Sequence, residues 1–163
     1  CDACRLLDKN MKYRVLLTID GTENSYSNYL KEKYSDIESI DWVGIQPRNN
    51  VFELYRESDC MIFPSKLETW GLPISEYKQT GKPIIMADLP YAHETVGDYK
   101  MTDFFMYNDA AALAGCMKNA MWGGYFKEHS LVPVSAPYAD NWTELCDLIF
   151  REHNNSSPFM KMC

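Results

Sequence analysis

The chain has 163 residues, of which 46% are hydrophobic and 24% charged, as is ordinary for a soluble globular protein with one hydrophobic core. Its formal net charge of −7, without any run of Lys or Arg, argues against a nucleic-acid-binding surface. No apolar run approaches the roughly 20 residues of a membrane span, and we expect no signal peptide. A cytoplasmic protein is therefore expected, with any membrane association confined to a longer parent protein.

Six cysteines are scattered along the chain, and their spacing does not indicate a metal site. Cys1 and Cys4 form a CxxC, but no second cysteine or histidine pair completes a zinc site. We expect Cys60, in an apolar run, and Cys146, on a helix face, to be buried reduced thiols. The three histidines share no ligand spacing, so neither a metal nor a cofactor is expected.

The pattern of apolar residues, glycines and prolines predicts alternating strands and helices. In chain order these are a helical segment over 1–9, strand Tyr13–Ile19, helix Glu23–Lys33, strand Ile37–Val43, helix Asn50–Ser58, strand Cys60–Phe63, helix Ile74–Thr80 ending at Gly81, strand Pro83–Ala87, strand Phe104–Met106, helix Ala110–Met121 and helix Trp142–Arg151. This alternation predicts an α/β fold, a Rossmann-like parallel sheet with helices on both faces. The continuously apolar Cys60–Phe63 is expected at the buried centre of the sheet.

The segment between strand Cys60–Phe63 and the helix that follows carries the strongest functional signal. Seven residues separate two carboxylates, Glu68 and Glu76, and a helix start lies between them. Ligands of parallel α/β sheets bind beyond the carboxyl ends of the strands, where this loop is expected to lie. Two such carboxylates would accept hydrogen bonds from hydroxyl groups of a ligand.

The helix start itself is predicted from Gly71-Leu72-Pro73, because proline suits a first helical turn. The backbone amides of Gly71, Leu72 and Ile74 would then point out of the helix, where the dipole favours an anion. A diphosphate is the obvious anion to fit between two hydroxyl-binding carboxylates.

The wider segment closely resembles the donor-binding half of glycosyltransferase family four. The resemblance rests on Pro64-Ser65, Glu68, Gly71-Leu72-Pro73, Glu76, Gly81-Lys82-Pro83-Ile84-Ile85, Asp88-Leu89-Pro90 and Glu94-Thr95-Val96-Gly97-Asp98, and runs from about Met11 to Asn119. It implies the GT-B fold, of which this chain is the C-terminal half, and transfer of a sugar from a nucleotide sugar with retention of anomeric configuration. The family often has Ser-Phe or Gly-Phe where this chain has Thr69-Trp70.

The resemblance also implies roles for individual residues. Glu76 would accept hydrogen bonds from the ribose hydroxyls, and Glu68 would lie at the donor sugar as the catalytic carboxylate. The remaining donor-binding positions are the backbone amides of Thr69, Trp70, Gly71 and Leu72 at the diphosphate, and Ile45 and Gln46 at the base. The alternatives are that Glu76 is a solvated helix residue, that Glu68 caps the helix and that Trp70 is a core aromatic.

The family's Gly-Arg…Lys-Gly segment and its acceptor-binding domain have no counterpart in residues 1–163. We therefore expect a single donor-binding domain, truncated at its N-terminal side and inactive alone, from a hexosyltransferase of polysaccharide biosynthesis. The expected partners are a nucleotide sugar and, through the missing domain, a saccharide or lipid-linked acceptor. Two other functions stay open: a nucleotide-sugar epimerase of GT-B architecture, and a non-catalytic nucleotide-sugar-binding domain.

Overall fold

The computed structural model describes residues 1–7, 9–124, 139 and 141–155, with only the backbone of 151–155. The chain divides into two units, Cys1–Leu131 and Val132–Cys163. The described elements of the first unit are α1 Asp2–Leu6, β1 Val15–Leu17, α2 Ser25–Lys33, β2 Ile40–Trp42, α3 Arg48–Glu57, β3 Met61–Phe63, α4 Leu72–Lys78, β4 Ile84–Ala87, α5 Pro90–Val96, β5 Thr102–Phe105 and α6 Ala110–Met121. The second unit contains α7 Trp142–Asn155.

All the described strand pairs are parallel, as the alternation of strands and helices predicts. Strand β1 pairs with β2, and β3, β4 and β5 form a three-stranded sheet in that order. The central strand of the latter is β4, whose four residues are all buried, whereas the residues of β3 are only partly buried. The prediction that Cys60–Phe63 is the buried centre is therefore wrong, because an apolar run cannot reveal which strand has a neighbour on both sides.

The two faces of β4 pack against different helices. Ile84 and Met86 contact a cluster on α4 and α5 that includes Ile74 and Tyr77, all of them fully buried. Alternate residues of a strand point to opposite faces, so Ile85 and Ala87 join the other cluster. That cluster is formed with α1, β2, β5 and α6 through Ala3, Cys4, Leu7, Ile40, Phe105, Ala114, Cys116 and Met117. Helices on both faces of a parallel sheet confirm the predicted fold class.

Element positions follow the sequence pattern closely, with one omission. Helix α6 has the predicted bounds, and α4 begins two residues before the predicted start and is followed by Gly81 at φ 70°. Helix α5 is absent from the elements that the sequence pattern predicts. Leu89-Pro90 starts this helix, with the proline in its first turn.

The cysteines differ in exposure from what their patterns suggest. Cys60 is partly buried, and burial raises the pKa of its thiol to about 12. Cys146 is exposed in α7, so the prediction that it is buried is wrong. Along the described residues, no helix combines the length and apolarity needed to cross a bilayer.

Candidate functional site

The loop from β3 to α4 is held in place by hydrogen bonds to its backbone. Tyr91 donates its hydroxyl to the carbonyl of Ser65 at 2.6 Å, and Thr95 donates its hydroxyl to the carbonyl of Trp70 at 2.9 Å. Both donors lie on α5, so this helix fixes the two ends of the loop that carries Glu68. The loop is thus a defined piece of structure at the carboxyl end of β3.

Gly71 ends this loop in a conformation that favours glycine. Its φ of 66° and ψ of 44° are left-handed, and it precedes α4 as the N-cap. A Cβ placed there would lie 2.9 Å from Cδ1 of Ile74 and 3.4 Å from Cγ2 of Thr95. The backbone therefore approaches α5 and the core more closely than a side chain would allow, and the helix start is fixed.

Four successive backbone amides just before α4 and at its first residue have no hydrogen-bond acceptor among the described residues. They belong to Thr69, Trp70, Gly71 and Leu72, for which no hydrogen bond is formed within the described residues. The amide of Ile74 donates instead to the carbonyl of Gly71 at 2.9 Å, so the prediction that it points freely out of the helix is wrong. A tight first turn consumes that donor and leaves the anion-binding potential in the loop preceding it.

Glu68 is partly buried in the same loop, near Tyr91. Burial raises the pKa of the Tyr91 hydroxyl, and the charge of Glu68 raises it further, which requires the two groups to be close. Among the described residues, no amide at the start of α4 donates a hydrogen bond to a side chain. Glu68 therefore does not cap the helix, and its carboxylate is available to another partner.

Glu76 lies in the second turn of α4 and is paired with an arginine. Its carboxylate Oε1 accepts a hydrogen bond from Nη2 of Arg48 at 2.7 Å. The Glu76 side chain is 16% exposed and that of Arg48 73% exposed. Nothing in the local sequence pattern of Arg48 could reveal this partner 28 residues away.

An open groove of about 610 Å³ lies between α3 and α4. Its lining combines aromatic and polar side chains, namely Asn49, Phe52, Glu53, Tyr55, Arg56, Glu76, Gln79, Thr80 and Lys82. Glu76 is the one predicted site residue among them; Glu68 and the four amides lie outside this groove. The groove therefore includes the Glu76 side chain but not the rest of the predicted site.

The loop after β2 presents an exposed apolar side chain beside a folded-back glutamine. Ile45 is 76% exposed. Gln46 donates from Nε2 to the carbonyl of Val43 at 2.6 Å, so its side chain stabilises the loop. The groups that remain for a ligand here are the Ile45 surface and the backbone.

The carboxyl ends of β1 and β2 meet at Gly44. A Cβ on this glycine, whose φ is 71°, would lie 2.9 Å from Oδ2 of Asp20. The hydroxyl and amide of Thr22 donate to Oδ1 of Asp20, and they lower the pKa of that carboxyl, with the hydroxyl as the larger cause. The sequence pattern does not reveal this contact between two loops, because it depends on strand pairing.

No three His, Cys, Asp or Glu side chains within the described ranges are grouped closely enough to hold a metal ion. A pair does form at the carboxyl end of β4, where Nε2 of His93 lies 2.7 Å from Oδ1 of Asp88. The His93 ring also stacks on Phe104, with centroids 4.1 Å apart. These contacts attach the start of α5 to the sheet.

Comparison with known proteins is consistent with this geometry. The family model described as "Glycosyl transferases group 1" matches residues 1–122. The O-antigen chain mannosyltransferase B of Escherichia coli is 28% identical over 93 residues, which are 56% of this chain and 24% of that protein. The crystal structure of a glycosyltransferase from Rickettsia africae ESF-5 superposes with a TM-score of 0.64 at 24% identity, covering 74% of this chain and 32% of that chain. The chain thus spans about a quarter of the first relative and a third of the second.

Proposed function

Because this chain belongs to the glycosyl transferases of group 1, we propose that it binds the nucleotide sugar from which its parent protein transfers a glycosyl group. The observation that carries the proposal is the run of four amides from Thr69 to Leu72, which have no partner among the described residues and are bounded along the chain by Glu68 and Glu76. Backbone amides suit the oxygens of a diphosphate, and carboxylates suit the hydroxyls of the two sugars attached to it.

Each part of the donor then has a partner. Glu76 accepts hydrogen bonds from the ribose diol, and the loop around Ile45 and Gln46 contacts the base. Glu68 contacts hydroxyls of the transferred sugar and acts as the catalytic carboxylate. A carboxylate next to a diphosphate would be repelled, so sugar hydroxyls must lie between Glu68 and the phosphates.

The reaction proposed for the parent is transfer of a hexosyl group to a saccharide or lipid-linked acceptor with retention of configuration. The bond between the anomeric carbon and the diphosphate breaks as the bond to the acceptor oxygen forms, and the leaving phosphate takes the acceptor proton. The amides of Thr69–Leu72 stabilise the charge that develops on the leaving group. The curated relative is named a mannosyltransferase of an O-antigen chain, which supports a saccharide acceptor.

Acceptor binding is proposed to need a second domain, because orientation of two substrates supplies roughly 7–11 kcal/mol of a barrier. We therefore expect the present 163 residues to bind nucleotide without detectable transfer. Transfer by the full-length parent, assayed with labelled nucleotide sugar and followed by NMR of the product anomer, tests the retaining mechanism. An inverted anomer would contradict it, and epimerised donor without acceptor product would indicate an isomerase.

Calorimetric titration of the chain with UDP, GDP and ADP tests donor binding, and Glu76→Ala tests the site. Losing charge-assisted hydrogen bonds to the ribose diol costs roughly 1.5–3 kcal/mol, so affinity should fall about 10- to 150-fold while the domain stays folded. Glu57→Ala, at an exposed position of α3, is the control and should leave affinity unchanged. Equal affinities in the Glu76 variant and the wild type would remove Glu76 from the site.

A further inference from the structure

We propose that Arg48 is a positioning residue for the donor nucleotide: it holds the Glu76 carboxylate turned so that its second oxygen meets the ribose diol. The inference rests on the proposed role of Glu76 and extends it to a residue on a different helix. Arg48 acts through Glu76 and does not itself contact the ligand.

The ion pair uses only part of the carboxylate. Nη2 of Arg48 lies 2.7 Å from Oε1 of Glu76. Among the described residues, Oε2 of Glu76 has no hydrogen-bond partner. An ionised carboxylate accepts about four hydrogen bonds through its two oxygens, so this one keeps acceptor capacity for a vicinal diol.

The carboxylate needs its partner because it is largely covered. With 16% of its side chain exposed, Glu76 is poorly hydrated, and the hydrogen bond from the Arg48 guanidinium replaces part of the lost hydration. Both groups also lie near Tyr55. Burial raises the pKa of that hydroxyl most, the Glu76 charge raises it further, and the Arg48 charge lowers it.

Arg48 is itself fixed in place. It is the first residue of α3, directly after the loop that carries Ile45 and Gln46. Its guanidinium carbon lies 5.2 Å from the centroid of the Phe52 ring, one turn along the same helix. The Arg48 side chain thereby links two parts of the proposed site: the base loop, which precedes α3, and the ribose carboxylate, which lies on α4.

The decisive measurement is a cycle between Arg48 and the ribose hydroxyls. Affinity is measured for whichever nucleoside diphosphate binds the wild-type chain and for its 2′,3′-dideoxy analogue. The wild type should bind the analogue about 10- to 150-fold more weakly, since roughly 1.5–3 kcal/mol of hydrogen bonding is lost. In Arg48→Met the natural nucleotide should bind more weakly and this ratio should fall to about 3-fold or less, because the carboxylate is no longer aimed at the diol.

Three further variants sharpen the result. Arg48→Lys, which keeps the charge without the planar guanidinium, should give an intermediate ratio. In a Glu76→Gln background, Arg48→Met should change affinity less than about 2-fold, because both act through one carboxylate. Arg14→Met is the matched control, since Arg14 is 70% exposed and also pairs with a less exposed carboxylate, that of Asp41. In Arg14→Met the ratio of the affinities for the natural and the dideoxy nucleotide should equal that of the wild type.

The outcomes separate the two proposals. If Arg48→Met weakens the natural and dideoxy nucleotides equally, or weakens diphosphate but not nucleoside binding, Arg48 contacts the phosphates and the inference is wrong while the proposed function stands. If the wild-type chain binds no nucleotide, the proposed function fails and the inference with it. Thermal melts accompany each titration, and Arg48→Lys decides the question should Arg48→Met fail to fold.

Discussion

Two lysines next to the candidate site donate hydrogen bonds to backbone carbonyls at the C-terminal ends of helices. Nζ of Lys78 donates to the carbonyl of Val96 at 2.8 Å, at the end of α5. Nζ of Lys82 donates to the carbonyl of Ser58 at 2.7 Å, at the end of α3. A cation at a helix C-terminus satisfies carbonyls that lack an intrahelical partner and complements the dipole. Both ammonium groups are therefore committed to the fold, so we assign neither of them to the proposed diphosphate site.

Two thiols should differ in reactivity because their surroundings differ. The thiolate is the reactive form, and the pKa of Cys60 is raised to about 12 by burial, whereas Cys146 is exposed. Iodoacetamide at pH 8, followed by peptide mass spectrometry, should modify Cys146 at least about 100-fold faster than Cys60. In guanidinium chloride the two rates should converge. Comparable rates in the native chain would show that Cys60 is not shielded as described.

Helix α5 acts as a support for the loop between β3 and α4. Its seven residues contribute the hydroxyls of Tyr91 and Thr95 to that loop and accept the ammonium of Lys78 at their end. The helix is attached to the sheet by Ala92 and Val96 in the core and by His93 on Phe104. The position of the candidate site is thus set by an element outside it, and two changes test this.

Replacing Gly71 by alanine should cost more stability than replacing Gly81. Both glycines have left-handed backbones, with φ of 66° and 70°, so alanine at either costs about 1 kcal/mol of strain. At Gly71 the new methyl would also meet Ile74 at 2.9 Å, whereas at Gly81 nothing lies within 4 Å. We expect a total loss of about 2–3 kcal/mol for Gly71→Ala in urea unfolding, because overpacking is added. Equal losses would mean that the loop shifts freely.

Thr95→Val should loosen the loop without disturbing the core. The substitution keeps the shape of the side chain and removes the hydrogen bond to the Trp70 carbonyl, worth roughly 0.5–1.5 kcal/mol. Amide hydrogen exchange at Ile74, whose amide donates to the Gly71 carbonyl, should accelerate, while the buried amides of β4 should be unaffected. Thr18→Val, at an exposed position after β1, is the control. Unchanged exchange in the Thr95 variant would show that its hydroxyl does not anchor the loop.

At the scale of the whole molecule, the burial of thiols and tyrosine hydroxyls makes the stability of the fold decrease at high pH. Burial is the largest cause of a raised pKa at two thiols and six tyrosines, namely Cys4, Cys60, Tyr13, Tyr34, Tyr55, Tyr77, Tyr91 and Tyr99. Each holds its proton to higher pH in the folded state than in the unfolded chain, so the native state binds more protons and stability falls as pH rises.

The loss should begin near pH 9, the ordinary pKa of a thiol, and continue toward the value of about 12 for folded Cys60. Urea unfolding followed by circular dichroism between pH 8 and 11 should show a steadily falling free energy of unfolding. Cys60→Ala should make the decline shallower, since one of the titrating groups is removed. A stability that is constant up to pH 11 would contradict the burial of these groups.

The sequence predicts elements well where the signals are local. Helix α6 has its predicted bounds because Asp109 accepts hydrogen bonds from the Ala111 and Ala112 amides at its start and glycines follow its end. Long-range facts were not predictable. The Arg48–Glu76 pair joins residues 28 apart, and the central position of β4 depends on strand order. Proposed roles such as that of Glu68 come from a motif.

The loop between β3 and α4 is anchored through its main chain, and this has a consequence for mutational change. The hydroxyls of Tyr91 and Thr95 donate hydrogen bonds to the backbone carbonyls of Ser65 and Trp70. Any amino acid at positions 65 and 70 would supply such a carbonyl. Side chains between the anchors, such as Leu67 at 88% exposure, can vary while the loop keeps its path. A library randomised at Leu67 and Thr69 is therefore a sound start for directed evolution of donor preference, because its members would inherit a folded scaffold.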